Sequence, residues 1–175
     1  IVFSSLVIIL IMSWLTPLIA ILIRLESKGP IFFKQKRNGL DYEEFNCYKF
    51  RSMFVNDNAD IDEAVKNDPR ITKIGAFLRR TSIDEMPQFF NVLKGDMSVV
   101  GPRPERPYFV DQFKETIPKY MVKHQVKPGL TGWAQIHGCR GDTSIKKRIE
   151  YDIEYVENWH MGLDLAIMIK TAVKK

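Results

Sequence analysis

The sequence contains little cysteine and little histidine. Its 175 residues include only Cys47 and Cys139, which form no C-x-x-C motif, and three histidines, none of which pairs with them at zinc-site spacing. This pattern excludes a small disulfide-stapled domain and a zinc module. We therefore expect two free thiols in a reducing, cytosol-facing compartment.

Charge is absent from residues 1–23. At a rise of about 1.5 Å per residue, a helix of this length reaches roughly 34 Å, enough to cross a hydrocarbon core of about 30 Å. A signal peptide is disfavoured because no basic segment precedes the run, no A-x-A site follows it, and the run is too long. Since the first residue is Ile1 rather than methionine, we expect the chain to begin inside a longer one.

Pro17 lies well inside this uncharged run. Proline has no N–H and crowds the carbonyl four residues back, here that of Ser13. The hydroxyls of Ser13 and Thr16 could satisfy the freed carbonyls, so a sharp kink is tolerable in lipid. Residues 1–25 are consistent with a spanning helix or with a re-entrant helix kinked at Pro17, and the sequence leaves both open.

The net charge of +5 and the pI near 9.2 indicate a basic protein. Such a surface suits nucleic acid, an anionic membrane or phosphorylated small molecules. The acidic stretch 56–68 lacks the glycine and the terminal glutamate spacing of a calcium loop, so we expect a solvated helix and loop there.

Residues 26–175 are predicted to form one small α/β domain, rich in helix and with short strands. An Asn38-Gly39 turn predicts a hairpin. The periodicity predicts strands at 31–33, 45–51, 97–100 and 134–136, and helices at 71–80, 108–123 (interrupted near Pro118) and 145–159. From Met161 the chain is too short to span a membrane, and we expect an amphipathic helix in the membrane interface with its lysines snorkelling.

Two adjacent carboxylates, Asp84 and Glu85, stand close to paired arginines at a predicted helix start. Ser82-x-x-Glu85 fits a capping box, but Pro87 is better accommodated if Asp84 is the N-cap of a helix running to about Leu93. Adjacent helical residues point about 100° apart, so the two carboxylates are expected to have different roles. A carboxylate that attacks a diphosphate meets repulsion, so Mg2+ is expected, with Asp84 and Glu85 as its candidate ligands.

Several basic residues are candidates for binding phosphate. Arg103 is fixed between Pro102 and Pro104, which suits bidentate phosphate binding, although a rigid surface loop with incidental arginines is the alternative. In the strand 45–51 we favour anion binding for Lys49 or Arg51. The remaining candidates are Arg79, Arg106, Arg37 and Arg140. The alternative for Arg37 is a solvated hairpin, and the alternative for Arg140 is an ordinary turn.

Four long motifs in order resemble the bacterial sugar transferase family, the monotopic phosphoglycosyl transferases: Lys49–Met53, Arg79–Glu85, Phe90–Pro104 and Lys127–Gln135. The resemblance implies transfer of a sugar 1-phosphate from a UDP-sugar to undecaprenyl phosphate, with release of UMP. It also implies Mg2+, a re-entrant membrane helix, a covalent phosphosugar on Asp84, and phosphate contacts from Arg79 and Arg103. Thr16-Pro17 stands where the family commonly has Ser-Pro, and because a hydroxyl remains we expect the kink to persist.

This resemblance implies an enzyme at the cytoplasmic face of the bacterial inner membrane that initiates surface glycan synthesis. The resemblance also implies that this enzyme contacts lipid and needs no nucleic-acid partner. Two other classes remain as alternatives: a membrane-anchored Mg2+ phosphohydrolase that uses the same carboxylates with water, and a non-catalytic basic module that binds RNA or lipid. The motifs specify neither the sugar nor the oligomeric state.

Overall fold

The computed structural model describes residues 2–56, 61–62, 64–65, 68–139 and 143–173, with side chains from Leu10 onward. The chain divides into two compact units, one of residues 1–35 and 46–95, the other of residues 36–45 and 96–175. Most of the acidic stretch predicted as a solvated helix and loop lies outside the described residues, as do Arg140 and the last two lysines.

Helix α1 (Val2–Glu26) opens the first unit and continues through Pro17, so the proline does not terminate it. Its buried side chains are Met12, Ile19 and Ile23, which recur at helical spacing and so lie on one face. Large apolar side chains away from that face are exposed, including Trp14 at 84%. Among the described residues, no helix combines the length and apolar character needed to cross a membrane.

Strands β1 (Phe32–Asn38) and β2 (Glu44–Phe50) pair as a two-stranded sheet, which confirms the predicted hairpin. Its turn is longer than a two-residue Asn-Gly turn. The loop contains a tight turn at Leu40–Tyr42, and the Gly39 N–H closes the loop by donating to the Glu43 carbonyl at 2.8 Å. A two-residue Asn-Gly turn would need positive φ at Asn38 and Gly39. Here Asp41 and Tyr42 have the positive φ values (52° and 67°), so the chain reverses later and the loop is wider.

Helix α2 (Lys73–Thr81) confirms the predicted amphipathic helix. Gly75 lies on its buried side, and a Cβ there would come within 1.9 Å of the Ser52 carbonyl oxygen, so only glycine allows this close approach. The helix ends at Ser82, whose φ of 59° is left-handed.

A 3-10 turn, Ile83–Glu85, separates α2 from helix α3 (Gln88–Lys94). The prediction that Asp84 caps α3 is therefore wrong. Asp84 lies inside the turn, and Pro87 occupies the N-cap position, where its missing N–H leaves no donor unsatisfied. Gly95 ends α3 with a left-handed φ of 87°, as the sequence indicated.

In the second unit, strand β3 (Ser98–Val100) pairs in parallel with strand β4 (Gly129–Thr131), Ser98 opposite Gly129 and Val100 opposite Thr131. Strand β3 was predicted, and β4 was not. The contact is close, because a Cβ on Gly129 would lie 2.1 Å from the Gly101 nitrogen.

The helices of the second unit are α4 (Pro107–Phe113), α5 (Trp133–Ile136), α6 (Ile145–Glu157) and α7 (Met161–Val173), with a 3-10 segment at Tyr120–Gln125. The predicted interruption near Pro118 is confirmed. The predicted strand at 134–136 is wrong: extended Gly132 begins a helical turn there, closed by the Ile136 N–H to the Gly132 carbonyl. Helix α7 buries Ile167 and exposes Met161, Leu165, Ile169 and Val173.

Candidate active site

The two adjacent carboxylates occupy different environments within the 3-10 turn. Asp84 is buried, with 7% of its surface exposed. Glu85 accepts a hydrogen bond from Lys49 Nζ at 2.7 Å, and the Lys49 and Glu85 side chains are 19% and 27% exposed. The two carboxylates therefore differ in how far solvent reaches them. The hydrogen bond identifies Lys49, on β2, as the cation that pairs with Glu85.

The turn rests on an apolar cluster of the first unit. Ile83 and Met86, which flank the two carboxylates, both pack against this cluster. Its buried members are Met12, Ile19, Ile23, Phe50 and Leu78. Because a 3-10 turn has three residues per turn, Ile83 and Met86 lie on the same side, and their contacts with the core hold the carboxylate turn in place.

Asn91 of α3 holds the strand that carries Lys49. Its side chain is fully buried, accepts from the Tyr48 N–H at 3.1 Å and donates to the Asn46 carbonyl at 2.7 Å. A side-chain amide has both a donor and an acceptor, so it can replace a neighbouring strand at these two positions. Sequence reasoning missed this residue, although a lone asparagine within the apolar run of α3 was a usable signal.

Arg79 and Arg51 make contacts that the sequence did not predict. Arg79 Nε donates to Ser52 Oγ at 2.8 Å, from the last turn of α2. Arg51 donates to the carbonyls of Ser27 and Lys28, so of the two strand cations Lys49 is the one at the carboxylates. Burial, and then repulsion from Arg24, lowers the pKa of Arg51.

Three predicted phosphate ligands lie in the second unit. Arg103 is half-buried in the loop between β3 and α4. Arg37 Nη1 donates to the Pro104 carbonyl at 3.0 Å, which ties the end of β1 to this loop. The Arg106 guanidinium carbon lies 4.3 Å from the ring centroid of Phe109, in a cation–π contact.

Glu105 is a buried carboxylate in the middle of this loop, which sequence reasoning passed over. It is 5% exposed, and its Oε1 accepts from Arg148 Nη1 of α6 at 2.9 Å. Its carbonyl accepts from the Asn38 N–H at 2.9 Å. Burial alone would raise the pKa of Glu105, but the positive charges of Lys123, Arg148, Arg37 and Arg103 outweigh it and hold that pKa below its usual value.

A second buried ion pair joins the 3-10 segment 120–125 to α6. Lys123 Nζ lies 3.3 Å from Asp152 Oδ2, and both side chains are 2% exposed. Burial raises the pKa of Asp152, against the attraction of Lys123. Next to Lys123 in the chain, His124 is buried with its Nδ1 3.2 Å from the Gly39 carbonyl, and burial lowers its pKa.

The carboxylates of Asp84 and Glu85 are hard oxygen donors of the kind that Mg2+ prefers. Within the ranges that the structure describes, no group of three or more His, Cys, Asp and Glu side chains could hold a metal. Mg2+ is commonly bound through one or two carboxylates together with substrate phosphates. The donor chemistry of this pair therefore fits Mg2+.

A family model described as "Bacterial sugar transferase" matches residues 1–175. The chain is 50% identical over 162 residues to a UDP-glucose:undecaprenyl-phosphate glucose-1-phosphate transferase of Xanthomonas campestris pv. campestris, over 89% of this chain and 34% of that protein. It is 49% identical over 155 residues to a UDP-N-acetylgalactosamine-undecaprenyl-phosphate N-acetylgalactosaminephosphotransferase of Aeromonas hydrophila, over 87% of this chain and 37% of that protein.

The chain covers almost the whole length of a third relative. The two are 43% identical over 183 residues, covering 99% of this chain and 92% of the exopolysaccharide production protein PSS of Rhizobium leguminosarum bv. phaseoli. By contrast, the chain spans about a third of the length of the Xanthomonas and Aeromonas relatives.

Proposed function

The chain belongs to the bacterial sugar transferase family, and we propose that it transfers a sugar 1-phosphate from a UDP-sugar to undecaprenyl phosphate, with release of UMP. The observation that carries this proposal is the contrast within the carboxylate pair. Asp84 is buried in a 3-10 turn, while its neighbour Glu85 is paired with Lys49 at 2.7 Å. An ion pair beside the attacking group lowers the local negative charge that an incoming diphosphate must approach.

The proposed reaction has two steps. A carboxylate oxygen of Asp84 attacks the β-phosphorus of the donor, the bond from that phosphorus to the bridging diphosphate oxygen breaks, and UMP leaves. A phosphate oxygen of the polyprenyl carrier then attacks the phosphorus of the phosphosugar–Asp84 intermediate. The bond to Asp84 breaks and the carboxylate is regenerated. A single activated phosphosugar thus connects a water-soluble donor with a lipid acceptor.

The remaining roles belong to charged side chains. Mg2+ held by the oxygens of Asp84 and Glu85 would neutralise phosphate charge as the leaving group departs. The proposed phosphate contacts are Arg79, Arg103, Lys49, Arg37, Arg106 and Arg140. Of these, Arg103 is the best suited, since flanking prolines limit the conformations of the backbone that carries it.

We further propose that α1 enters lipid as a re-entrant helix and that α7 lies in the membrane interface, at the cytoplasmic face of the bacterial inner membrane. The support is exposed apolar surface: Trp14 and Leu25 of α1 are 84% and 79% exposed, and Met161 and Val173 of α7 are 80% and 79% exposed. Side chains of this size are stabilised when lipid replaces water around them. The product would begin assembly of a surface glycan.

The test is the variant Asp84→Asn, which keeps the size of the side chain and removes the nucleophile. With the full chain in vesicles that contain undecaprenyl phosphate, UMP release from a panel of UDP-sugars should fall by about 10³-fold or more. The exposed Glu115→Gln variant is the acid-to-amide control and should keep full activity. Undiminished UMP release by Asp84→Asn would contradict the proposal, as would water-soluble sugar 1-phosphate as the only product.

A further inference from the structure

Glu26, the last residue of α1, caps the N-terminus of α2 with its carboxylate. One oxygen accepts from the Lys73 N–H at 2.6 Å and the other from the Ile74 N–H at 2.8 Å. Thr72, the residue before α2, accepts from the Gly75 N–H at 2.9 Å. The first three amides of α2 are therefore all satisfied, and two of them depend on a residue 47 or 48 positions earlier in the chain.

Arg51 makes a second polar connection at the same end of α1. Its guanidinium donates to the carbonyl of Ser27 at 2.8 Å and to that of Lys28 at 2.6 Å. Gly29 leaves room for it, since a Cβ there would lie 2.6 Å from Arg51 Nη1, and φ at Gly29 is +127°. The end of α1 is thus fixed both to the end of β2 and to the start of α2.

The buried face of α1 also supports the turn that carries the two carboxylates. Ile19 and Ile23 of α1 belong to the same apolar cluster as Leu78 of α2, and Ile83 and Met86 pack against it. Apolar contacts are not directional, so they limit sliding of α1 along its axis only weakly. Hydrogen bonds are directional, so the Glu26 carboxylate can fix the axial register of α1 against α2.

We propose that Glu26 is a positioning residue for transfer to the lipid acceptor, because it fixes the height of the Asp84 turn relative to the helix that enters lipid. This inference rests on the proposed function and on the proposed insertion of α1. The donor arrives from water and can adjust its approach, whereas the bilayer sets the height of the acceptor phosphate. A loosened connection should therefore affect the second step more than the first.

The test separates the two steps with the full chain in vesicles. UMP release in a single turnover without acceptor reports the first step, and formation of the polyprenyl diphosphate sugar reports the second. In Glu26→Ala we expect transfer to undecaprenyl phosphate to fall about 10- to 10²-fold, with UMP release reduced only a few-fold. Glu26→Gln keeps an acceptor oxygen and should recover at least half of the lost transfer.

Thr72→Ala is the matched control, because it removes a cap from the same helix without releasing α1. It should lower both steps by the same factor. If Glu26→Ala also lowered both steps equally, or if Glu26→Gln gave no recovery, Glu26 would be merely structural and the inference would be wrong. If Glu26→Ala does not fold, Glu26→Gln decides the question. A larger loss of transfer to undecaprenyl phosphate than of UMP release would support the inference, and equal losses would overturn it. A wild-type chain that releases no UMP would overturn the proposed function instead.

Discussion

The carboxylate turn of the first unit and the Pro-Arg-Pro loop of the second are stabilised in different ways. The turn rests on an apolar cluster and carries an ion pair, Lys49 with Glu85, that is partly open to solvent. The loop is held by a buried carboxylate, Glu105, that is surrounded by cations. Shape complementarity therefore positions the carboxylate turn, whereas buried charge positions the loop, and the two should respond to different substitutions.

The largest expected loss of stability follows from removing the buried negative charge of the second unit. Glu105→Gln removes a carboxylate that Arg148 contacts at 2.9 Å, leaving positive charge uncompensated in the interior. The free energy of unfolding should fall by about 3–5 kcal/mol. Urea denaturation of the full chain in detergent measures this. The exposed Glu115→Gln control should change it by about 0.5 kcal/mol or less. If Glu105→Gln also cost less than about 1 kcal/mol, buried charge would not be what holds the loop.

A substitution at Gly75 tests whether close packing stabilises the first unit. A methyl group there would meet the Ser52 carbonyl oxygen at 1.9 Å, which forces α2 away from its support. Gly75→Ala should therefore lower the free energy of unfolding by about 2–3 kcal/mol, a typical cost of overpacking. In Gly162→Ala the new methyl group meets only the His160 ring, at 3.2 Å or more, so this variant is the control. Equal unfolding midpoints for Gly75→Ala and wild type would show that the contact is not tight.

The Lys49–Glu85 ion pair should be worth less than the buried pair, because water reaches both side chains. A double-mutant cycle with Lys49→Met and Glu85→Gln should give a coupling energy of about 1 kcal/mol in unfolding experiments. That value should decrease in high salt, since exposed pairs are screened. A coupling energy indistinguishable from zero at low salt would remove Lys49 as the partner of Glu85.

The smallest effect concerns pH. The pKa of His124 is lowered by burial and by Lys123, so the folded state favours the neutral ring. Below the ordinary pKa of about 6.5 the unfolded chain then binds more protons, and stability should fall by at most about 0.7 kcal/mol as the pH drops from about 7 to about 6. Unfolding midpoints across this range measure the slope. In His124→Asn the slope should be shallower, and an unchanged slope would rule His124 out as its cause.

Local patterns were sufficient to predict several elements. The helical spacing of Ile71, Ile74, Phe77 and Leu78 predicted α2, and Asn38-Gly39 predicted the hairpin, because amphipathic periodicity and turn chemistry act over a few residues. The end of α3 at Gly95 followed from the same kind of reasoning.

The errors arose where a contact distant in sequence decided the local conformation. The turn at Ile83–Glu85 does not cap α3, since left-handed Ser82 ends α2 first and the turn packs on the apolar cluster. Residues 134–136 are helical, and the strand lies at Gly129–Thr131, where small residues let β3 approach closely. Neither packing constraint is visible in the neighbouring sequence.

In the candidate site, too, local features could be predicted and distant contacts could not. Its carboxylate pair was recognisable from two adjacent acidic residues close to arginines, but the partners of the charged side chains were not. Lys49 and Glu85 are 36 residues apart, and Glu105 and Arg148 are 43 apart. Pairing over such distances depends on the tertiary fold, so composition and spacing could identify the charges without assigning their partners.

The central claim, that Asp84 forms a covalent phosphosugar, is tested most directly by mass spectrometry after the chain reacts with donor alone. The peptide that contains Asp84 should gain the mass of the sugar 1-phosphate less one water, fragmentation should place it on Asp84, and about one UMP should appear per adduct. Undecaprenyl phosphate should then remove the adduct. UMP release without any adduct, or an adduct on Glu85, would contradict the account.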